Sequence, residues 1–139
     1  MKLELITLTG EKLAEDVYEV TLPTRSGDIS IFPGHETMVT LATDGALYVR
    51  RKRSDRDDAR EVYALGGGVV QVSPKLVRVL VDEAESADEL AVDEIEAALE
   101  RAKKQRASAK DAVSVSEAEA LMNRATTRLK VANLRRRHR

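Results

Sequence analysis

The 139-residue sequence contains no cysteine and no tryptophan, and its aromatic residues are limited to three tyrosines and one phenylalanine. Without cysteine the chain cannot form a disulfide framework, a zinc ribbon or a thiol nucleophile. Because aromatic side chains are so few, a hydrophobic core has to consist of valine, leucine, isoleucine and alanine. Apolar residues make up 42% of the sequence, which suffices for one compact domain, alone or with an appended segment.

Long apolar runs are also missing. No stretch approaches the roughly 18 consecutive apolar residues of a membrane-spanning helix. The start of the chain, MKLEL, places the carboxylate of Glu4 inside the first apolar run, whereas a secretory signal peptide needs an uninterrupted one. We therefore predict that the protein is not secreted, and that it associates with a membrane only through partner proteins.

Glycine and proline disappear from the sequence after Pro74, and this change divides the chain into two halves. Up to about Val81, apolar and polar residues alternate in short runs that end at turn residues such as Pro23, Pro33 and Asp44–Gly45. No helical segment separates these runs. The pattern predicts an antiparallel β-sandwich or barrel of about eight to ten short strands rather than a parallel α/β sheet.

The second half is rich in alanine, glutamate, lysine and arginine, which is typical of helices. Asp93 is predicted to cap a first helix, and Ser116 with Glu119 has the capping-box spacing that predicts the start of a second one. The apolar stripe is narrow and rich in alanine, so two thin helices should pair as a hairpin. The predicted fold class is α+β, with a β-sandwich domain of residues 1–84 and an antiparallel helical hairpin of residues 85–139.

Charge is distributed unevenly along the helical half, although the net charge of the chain is only −1. Residues 82–100 contain nine acids and no base, whereas residues 101–139 contain twelve bases and three acids. Such splitting bears on partners and on self-docking. The basic helix can meet an acidic surface on a partner, meet the acidic run of its own chain, or remain a solvated tail. Its candidate residues are Arg124, Arg128, Lys130, Arg135, Arg136 and Arg137.

The sequence offers little for catalysis or for ligand binding. It has two histidines, one of them in the last residues, and no Ser/His/Asp set is predicted. His35 has no second histidine or cysteine nearby, so a metal site is not expected. The triplet Gly66–Gly68 lacks the Gly-Lys-Ser/Thr ending of a phosphate loop, and a strand-entry bend that needs glycine conformations is the better interpretation. We therefore predict no catalytic, cofactor-binding or metal-binding residues.

The segment from Ser26 to His35, reading SGDISIFPGH, contains the candidate binding residues. Asp28 follows a glycine, so its carboxylate is either a contact for a basic or polar partner loop or an ordinary solvated turn residue. Phe32, Pro33, Gly34 and His35 combine a sharp turn with one of the few aromatic rings, which suits an interface. In the other interpretation, Phe32 plugs the sandwich and His35 only bonds to the loop backbone.

Four blocks of the sequence, in order and at matching spacing, resemble the epsilon subunits of F-type ATP synthases. SGDISIFPGH is similar to a loop of that family, and GGVVQV is similar to its Gly-Gly strand entry, although the family often has Glu where Gln71 stands. VRVLVDEAE resembles the strand that leads into the family's helical part. The stretches from Asn123 to Ala125 and from Arg128 to Ala132 resemble its final helix. The resemblance covers nearly the whole chain.

The resemblance implies a non-catalytic subunit of the central stalk. Its sandwich would bind the gamma subunit and stand on the membrane rotor (c) ring, and it would help to transmit rotation between ion flow and the catalytic head. In this reading Asp28 faces the rotor ring, and Phe32 to His35 belong to the ring and gamma interface. The complex would lie at the cytoplasmic face of the bacterial plasma membrane, with protons or sodium as the coupling ion.

The resemblance also implies a regulatory role for the helices. They can lie folded on the sandwich, or extend toward the catalytic beta and alpha subunits and impede ATP hydrolysis. Some family members bind ATP through a hairpin segment that reads aliphatic-Asp-x-x-Arg-Ala. The matching stretch here is LAVDEI, in which Ala91 replaces the Asp and Glu94 replaces the Arg. ATP binding is therefore not expected.

A nucleic-acid-binding module is the main competing hypothesis, because a small β-barrel can hold single strands and the basic segment could contact phosphates. The β-half is nearly neutral, however, and three tyrosines and one phenylalanine are too few for a stacking platform. A small β-barrel enzyme ranks third, since no catalytic set of residues is present. We therefore predict protein partners and no nucleic acid.

Overall fold

The structure is a computed structural model that describes residues 1–137, with side chains up to residue 135. The chain forms two compact units, the first spanning Met1–Ser86 and the second beginning at Ala87. The first unit contains ten strands and the second contains two helices, so the predicted order of a β-domain followed by helices is confirmed.

The β-unit consists of two five-stranded sheets. The first sheet has the strand order β2-β1-β9-β8-β5, and the second has the order β10-β7-β6-β3-β4. All neighbouring strands are antiparallel except β1 and β9, which are parallel. The strands are β1 (Lys2–Thr7), β2 (Gly10–Asp16), β3 (Glu19–Thr24), β4 (Gly27–Ile31), β5 (Met38–Ala42), β6 (Gly45–Arg50), β7 (Glu61–Leu65), β8 (Gly68–Ser73), β9 (Leu76–Val81) and β10 (Ala84–Ser86).

The hydrophobic core lies within the β-unit and follows the period of two that an extended strand imposes. In β1, Leu3 and Leu5 are fully buried, while Lys2 and Glu4 alternate with them on the other face. The rest of the core is mainly aliphatic, as the composition predicts, and Tyr63 is the aromatic residue among the buried hydrophobic side chains of the described chain. The largest fully buried side chains of the core include Leu22, Ile31 and Leu47.

The triplet Gly66–Gly68 leads into β8, whose first residue is Gly68, but glycine is needed there for another reason than the one predicted. None of Gly66, Gly67 and Gly68 has a positive φ, so the bend does not need a glycine-only backbone conformation. Instead, a Cβ atom at Gly68 would overlap the carbonyl oxygen of Leu80 on the neighbouring strand. The requirement for glycine at this position is therefore a close backbone approach.

The helical unit begins with a 3-10 turn at Ala87–Glu89 and continues with α1 (Val92–Ser108) and α2 (Ala112–Arg137). The two helices pack on each other, and buried residues in the unit are Ala87, Ile95, Ala102, Ala118, Ala125, Val131 and Ala132. Five of these seven are alanines, so the helices approach closely but bury little side-chain volume. Among the described residues, no helix is both long enough and apolar enough to cross a membrane.

Both predicted helix starts are wrong. The residue before α1 is Ala91, which makes no side-chain cap, and Asp93 already lies within the first turn, where its charge suits the helix dipole. The second helix begins at Ala112 rather than at Ser116. There the Asp111 carboxylate accepts a hydrogen bond from the Ser114 backbone N–H at 2.7 Å, which caps the helix at an earlier position. The connection between α1 and α2 therefore consists only of residues 109–111.

Candidate functional site

The segment SGDISIFPGH does not form a single loop. Its middle part is strand β4, which pairs with β3 so that Asp28 lies opposite Pro23 and Ile31 lies opposite Val20. Since a strand rises about 3.3 Å per residue, Asp28 and Phe32 are separated by roughly 13 Å along the chain direction. Asp28 is exposed at one end of the strand, and Phe32 begins the loop at the other end. The structure thus places the two groups of candidate residues at opposite ends of the sandwich.

Phe32 is not a core plug, because its side chain is 42% exposed and the neighbouring Ile31 fills the core instead. The Phe32 ring meets the Tyr18 ring edge-on, with the ring centroids 5.6 Å apart. Gly34 has a φ of +85° and donates its N–H to the Pro74 carbonyl at 2.9 Å. These two contacts hold the Phe32–Gly34 turn in place and leave part of the aromatic ring available to a partner.

His35 bonds to the loop backbone, as one of the two interpretations predicts. Its Nδ1 lies 2.7 Å from the Glu36 carbonyl oxygen, which requires an N–H on that nitrogen. In the part of the chain that the structure describes, no group of three or more His, Cys, Asp or Glu residues could hold a metal ion.

An exposed apolar surface, not predicted from the sequence, lies on the outer side of the first sheet. Its row of directly opposed residues runs from Leu41 through Val69 and Leu80 to Ile6 across four adjacent strands. Leu41 is 62% exposed, Leu80 is 37% exposed, and Val39 next to this row is 68% exposed. We call these five residues the outer apolar face. Contiguous exposed apolar surface of this kind marks a binding site on a protein.

A row of polar residues borders the outer apolar face, two residues further along the strands and on the same side of the sheet. Arg78 lies opposite Glu4 on one side and Gln71 on the other, and Gln71 lies opposite Val39. The Arg78 guanidinium donates to the Glu4 carboxylate at 2.8 Å. This hydrogen bond from Arg78 holds the pKa of Glu4 below its ordinary value. An apolar centre with a paired polar rim is the usual composition of a protein interface.

The very polar connection between β6 and β7 is ordered by two adjacent arginines. The Arg50 guanidinium donates to Glu19 at 2.7 Å, and also to Asp57 and to the Asp55 carbonyl. The hydrogen bond from Arg50 lowers the pKa of Asp57. Arg51 bridges Glu15 and Glu61 in the same way. These bonds give the loop a defined shape, although its composition alone would suggest a flexible one.

Residues of the acidic and the basic segments contact each other within the helical unit, as in the pairs Glu100–Lys103 and Asp88–Arg135. The Arg135 Nε lies 3.0 Å from the Asp88 carboxylate, and both side chains are about half exposed. On the same helix, Arg124 and Lys130 are exposed and Arg128 is partly buried. The predicted basic residues Arg136 and Arg137 lie outside the part of the chain whose side chains are described. The acidic run of the chain can therefore engage the basic helix, as the sequence suggested.

Comparison with known proteins identifies the family. The family model described as "ATP synthase, Delta/Epsilon chain, beta-sandwich domain" matches residues 1–87. The ATP synthase epsilon chain of Herpetosiphon aurantiacus is 36% identical over 137 residues, which covers 98% of this chain and 96% of the relative. That of Geobacter sp. is 33% identical over 133 residues, covering 95% and 93%.

Solved structures support the same fold. A chain of the mitochondrial ATP synthase of Euglena gracilis superimposes with a TM-score of 0.76 at 23% identity, covering 90% of this chain and 76% of that one. A chain in the central stalk and c-ring structure of the Tetrahymena thermophila enzyme gives a TM-score of 0.68 at 17% identity, covering 95% and 96%. From the family model and the curated relatives, we conclude that the chain belongs to the delta/epsilon chain family of ATP synthases.

Proposed function

We propose that this chain is a non-catalytic central-stalk subunit that couples ion flow through a membrane rotor ring to ATP synthesis. In this role the β-sandwich binds the gamma subunit and stands on the ring, so that the three turn together. The complex holds the chain at the cytoplasmic face of a bacterial plasma membrane, and the coupling ion is a proton or sodium. The chain itself requires no cofactor for this task.

The outer apolar face is the observation that supports this role most strongly. Leaving Leu41, Leu80 and Val39 in water is unfavourable, at about 25 cal/mol per Å² of apolar surface that a partner could cover. The Glu4–Arg78 pair beside them supplies a polar rim of fixed geometry. A rotor subunit must stay attached under torque, and a broad apolar contact on a rigid sheet meets that need better than a few surface ion pairs. We assign this face to gamma.

The two ends of β4 serve different partners in this proposal. Asp28 is exposed at the end that also carries the β3–β4 turn, and its carboxylate is assigned to the polar loops of the rotor ring. Phe32 and the following turn lie at the opposite end and are assigned to gamma. The separation of roughly 13 Å between Asp28 and Phe32 along the strand supports the assignment of these residues to two different partners.

The helical unit is proposed to act as a brake on ATP hydrolysis. Its helices share a thin, alanine-rich contact, and a contact that buries little area separates at modest cost. In the braking state, basic residues of α2 such as Arg124, Arg128 and Lys130 would meet acidic surfaces of the catalytic beta and alpha subunits. The Asp88–Arg135 pair lies within the helical unit and holds α2 against the 3-10 turn that precedes α1. ATP is not part of this switch, because Ala91 and Glu94 replace the residues that would bind it.

Binding to gamma tests the proposal. The full chain is mixed with purified gamma subunit, and the affinity is compared between the original sequence and the double variant Val39→Asp/Leu80→Asp. We expect stable binding by the original chain and a loss of at least about tenfold in the variant, because charges on the outer face cannot be buried without a partner. The matched control is Val113→Asp/Leu121→Asp, which places the same charges on exposed apolar residues of α2. No binding by the original chain would overturn the proposed function.

A further inference from the structure

The four edges of the sandwich are protected to different degrees. An edge strand presents unpaired backbone N–H and C=O groups, and proteins usually shield such edges with charge, bulges or short length. Strand β2 carries four charged residues and a register shift in its pairing with β1, β10 is three residues long and contains Glu85, and β4 carries Asp28. Strand β5, which reads MVTLA, has no charge and no proline, and its register with β8 is continuous.

Strand β5 also exposes its apolar side chains. Val39 and Leu41 point to the outer side of the sheet and are the most exposed members of the outer apolar face. The alternate residues Met38 and Ala42 pack against the core and fix the strand on β8. The edge is therefore regular, uncharged and apolar, which are properties that favour pairing with another strand.

We propose that β5 receives an extended segment of the gamma subunit as an additional strand of the first sheet. This inference rests on the proposed function, because it specifies how gamma binds. The occupant follows from continuity, since the apolar side chains of β5 belong to the same surface that gamma is proposed to cover. The added strand would bond through its backbone and place alternate side chains over Val39 and Leu41. The absence of charge on β5 indicates that the segment is apolar rather than acidic or basic.

A second copy of this chain is a weaker candidate for the same edge. Two copies paired through β5 would each contribute a strand of five residues with two exposed apolar side chains. Stable interfaces bury about 1,600 Å² in total, which is more than one such strand pair supplies. A gamma segment that pairs with β5 gains the rest of the outer apolar face in addition.

Amide hydrogen exchange, followed by NMR, distinguishes strand addition from side-chain packing. The full chain is measured free and saturated with purified gamma subunit. On strand addition, every second amide of residues 38–42 should change from fast exchange to exchange at least about 100-fold slower, because these N–H groups point away from β8. The charged edge strand β2 is the internal control, and its outward amides should exchange at the same rate in both samples.

A double variant separates backbone pairing from side-chain recognition. Val39→Thr/Leu41→Thr places β-branched threonine, which suits a strand, at both positions but removes the apolar contacts. We expect weaker binding to gamma, by at least about fivefold, with the same alternating protection once gamma is saturating. Leu8→Thr changes an apolar residue that lies outside the strands and is even more exposed, and it should bind as the original chain does.

Each outcome decides between the possibilities. Alternating protection in the complex supports the added strand. Binding without that protection overturns the inference and leaves the proposed function intact, as does protection that vanishes in the double variant at saturation. Failure of the original chain to bind gamma overturns both. A free chain that has the mass of a dimer and already protected β5 amides shows that a second copy occupies the edge, which also overturns the inference.

Discussion

Arg50 and Glu19 face each other across the adjacent strands β6 and β3, with 2.7 Å between the Arg50 Nε and a Glu19 carboxylate oxygen. Their side chains are only 14% and 11% exposed, in a unit where most ion pairs lie on the surface. The same guanidinium also binds Asp57 and the Asp55 carbonyl, so it connects the second sheet with the long β6–β7 connection. Together with Arg51, this arginine orders a loop that contains almost no apolar residue.

Removal of the Glu19 carboxylate should loosen that loop and lower the stability of the sandwich. In Glu19→Ala, the guanidinium of Arg50 keeps Asp57 but loses its partly buried partner, and an incompletely paired buried charge is unfavourable. We expect a lower midpoint in urea unfolding and faster proteolysis within residues 51–60. Asp16→Ala, which removes an exposed carboxylate at the end of β2, should leave both measurements unchanged. An unchanged midpoint in Glu19→Ala would show that the pair does not order the loop.

The Glu4–Arg78 pair should make stability depend on pH in the acid range. The pKa of Glu4 is lower in the folded chain than in the unfolded chain, because Arg78 stabilises the charged form. Its contribution is therefore fully present above the ordinary glutamate pKa of about 4, and is lost as the pH falls through the lower, folded value. The stability difference between the original chain and Glu4→Gln should shrink on acidification from pH 6 to pH 3. A difference that stays constant over this range would contradict the coupling.

Charge and aromatic substitutions at the two ends of β4 should affect different partners. Asp28→Lys should weaken association with the rotor ring by about tenfold, through charge reversal at an exposed contact, and leave gamma binding unchanged. Phe32→Ala should weaken gamma binding by a similar factor and leave the ring association unchanged. Both affinities can be measured with purified subcomplexes. Parallel loss of both affinities in either variant would contradict the assignment of the two ends to separate partners.

Deletion of the second helix tests the proposed brake. Because α2 begins at Ala112, the deletion should start there and not at the Ser116 that the sequence indicated. The assembled enzyme with the shortened chain should hydrolyse ATP faster and still couple hydrolysis to ion pumping. Arg135→Ala, which breaks only the pair with Asp88, should favour the extended state and reduce hydrolysis. Equal hydrolysis by all three enzymes would exclude a regulatory role for α2.

The sequence predicts the strands that bury a face and misses those that do not. Strand β1 alternates clearly, because Leu3 and Leu5 enter the core. Strand β2 reads GEKLAED and is exposed along almost its whole length, so no apolar period reveals it. Strand β2 forms because its backbone pairs with β1, and backbone hydrogen bonds do not require a particular pattern of side chains. Strand β10 does bury Ala84, but three residues are too few to show a period.

The candidate sites show a similar limit. Asp28 and His35 are close in the sequence, but the five-residue strand β4 separates their surroundings. The outer apolar face could not be predicted, because Leu41, Leu80 and Ile6 become neighbours only through the register of four strands. The start of a helix depends on a single capping hydrogen bond. Here the Asp111 carboxylate caps α2, and the capping-box spacing at Ser116 does not mark its start. Local patterns thus identify elements, while cross-strand pairing creates the surfaces on which function depends.

Ion-driven ATP synthesis in reconstituted vesicles tests the central claim most directly. ATP synthase is assembled with and without this chain, and the rate of ATP synthesis is measured at the same imposed ion gradient. The account predicts coupled synthesis when the original chain is present, little synthesis without it, and restoration by Val113→Asp/Leu121→Asp but not by Val39→Asp/Leu80→Asp. Equal rates of synthesis with and without the chain would contradict its role as a coupling subunit of the central stalk.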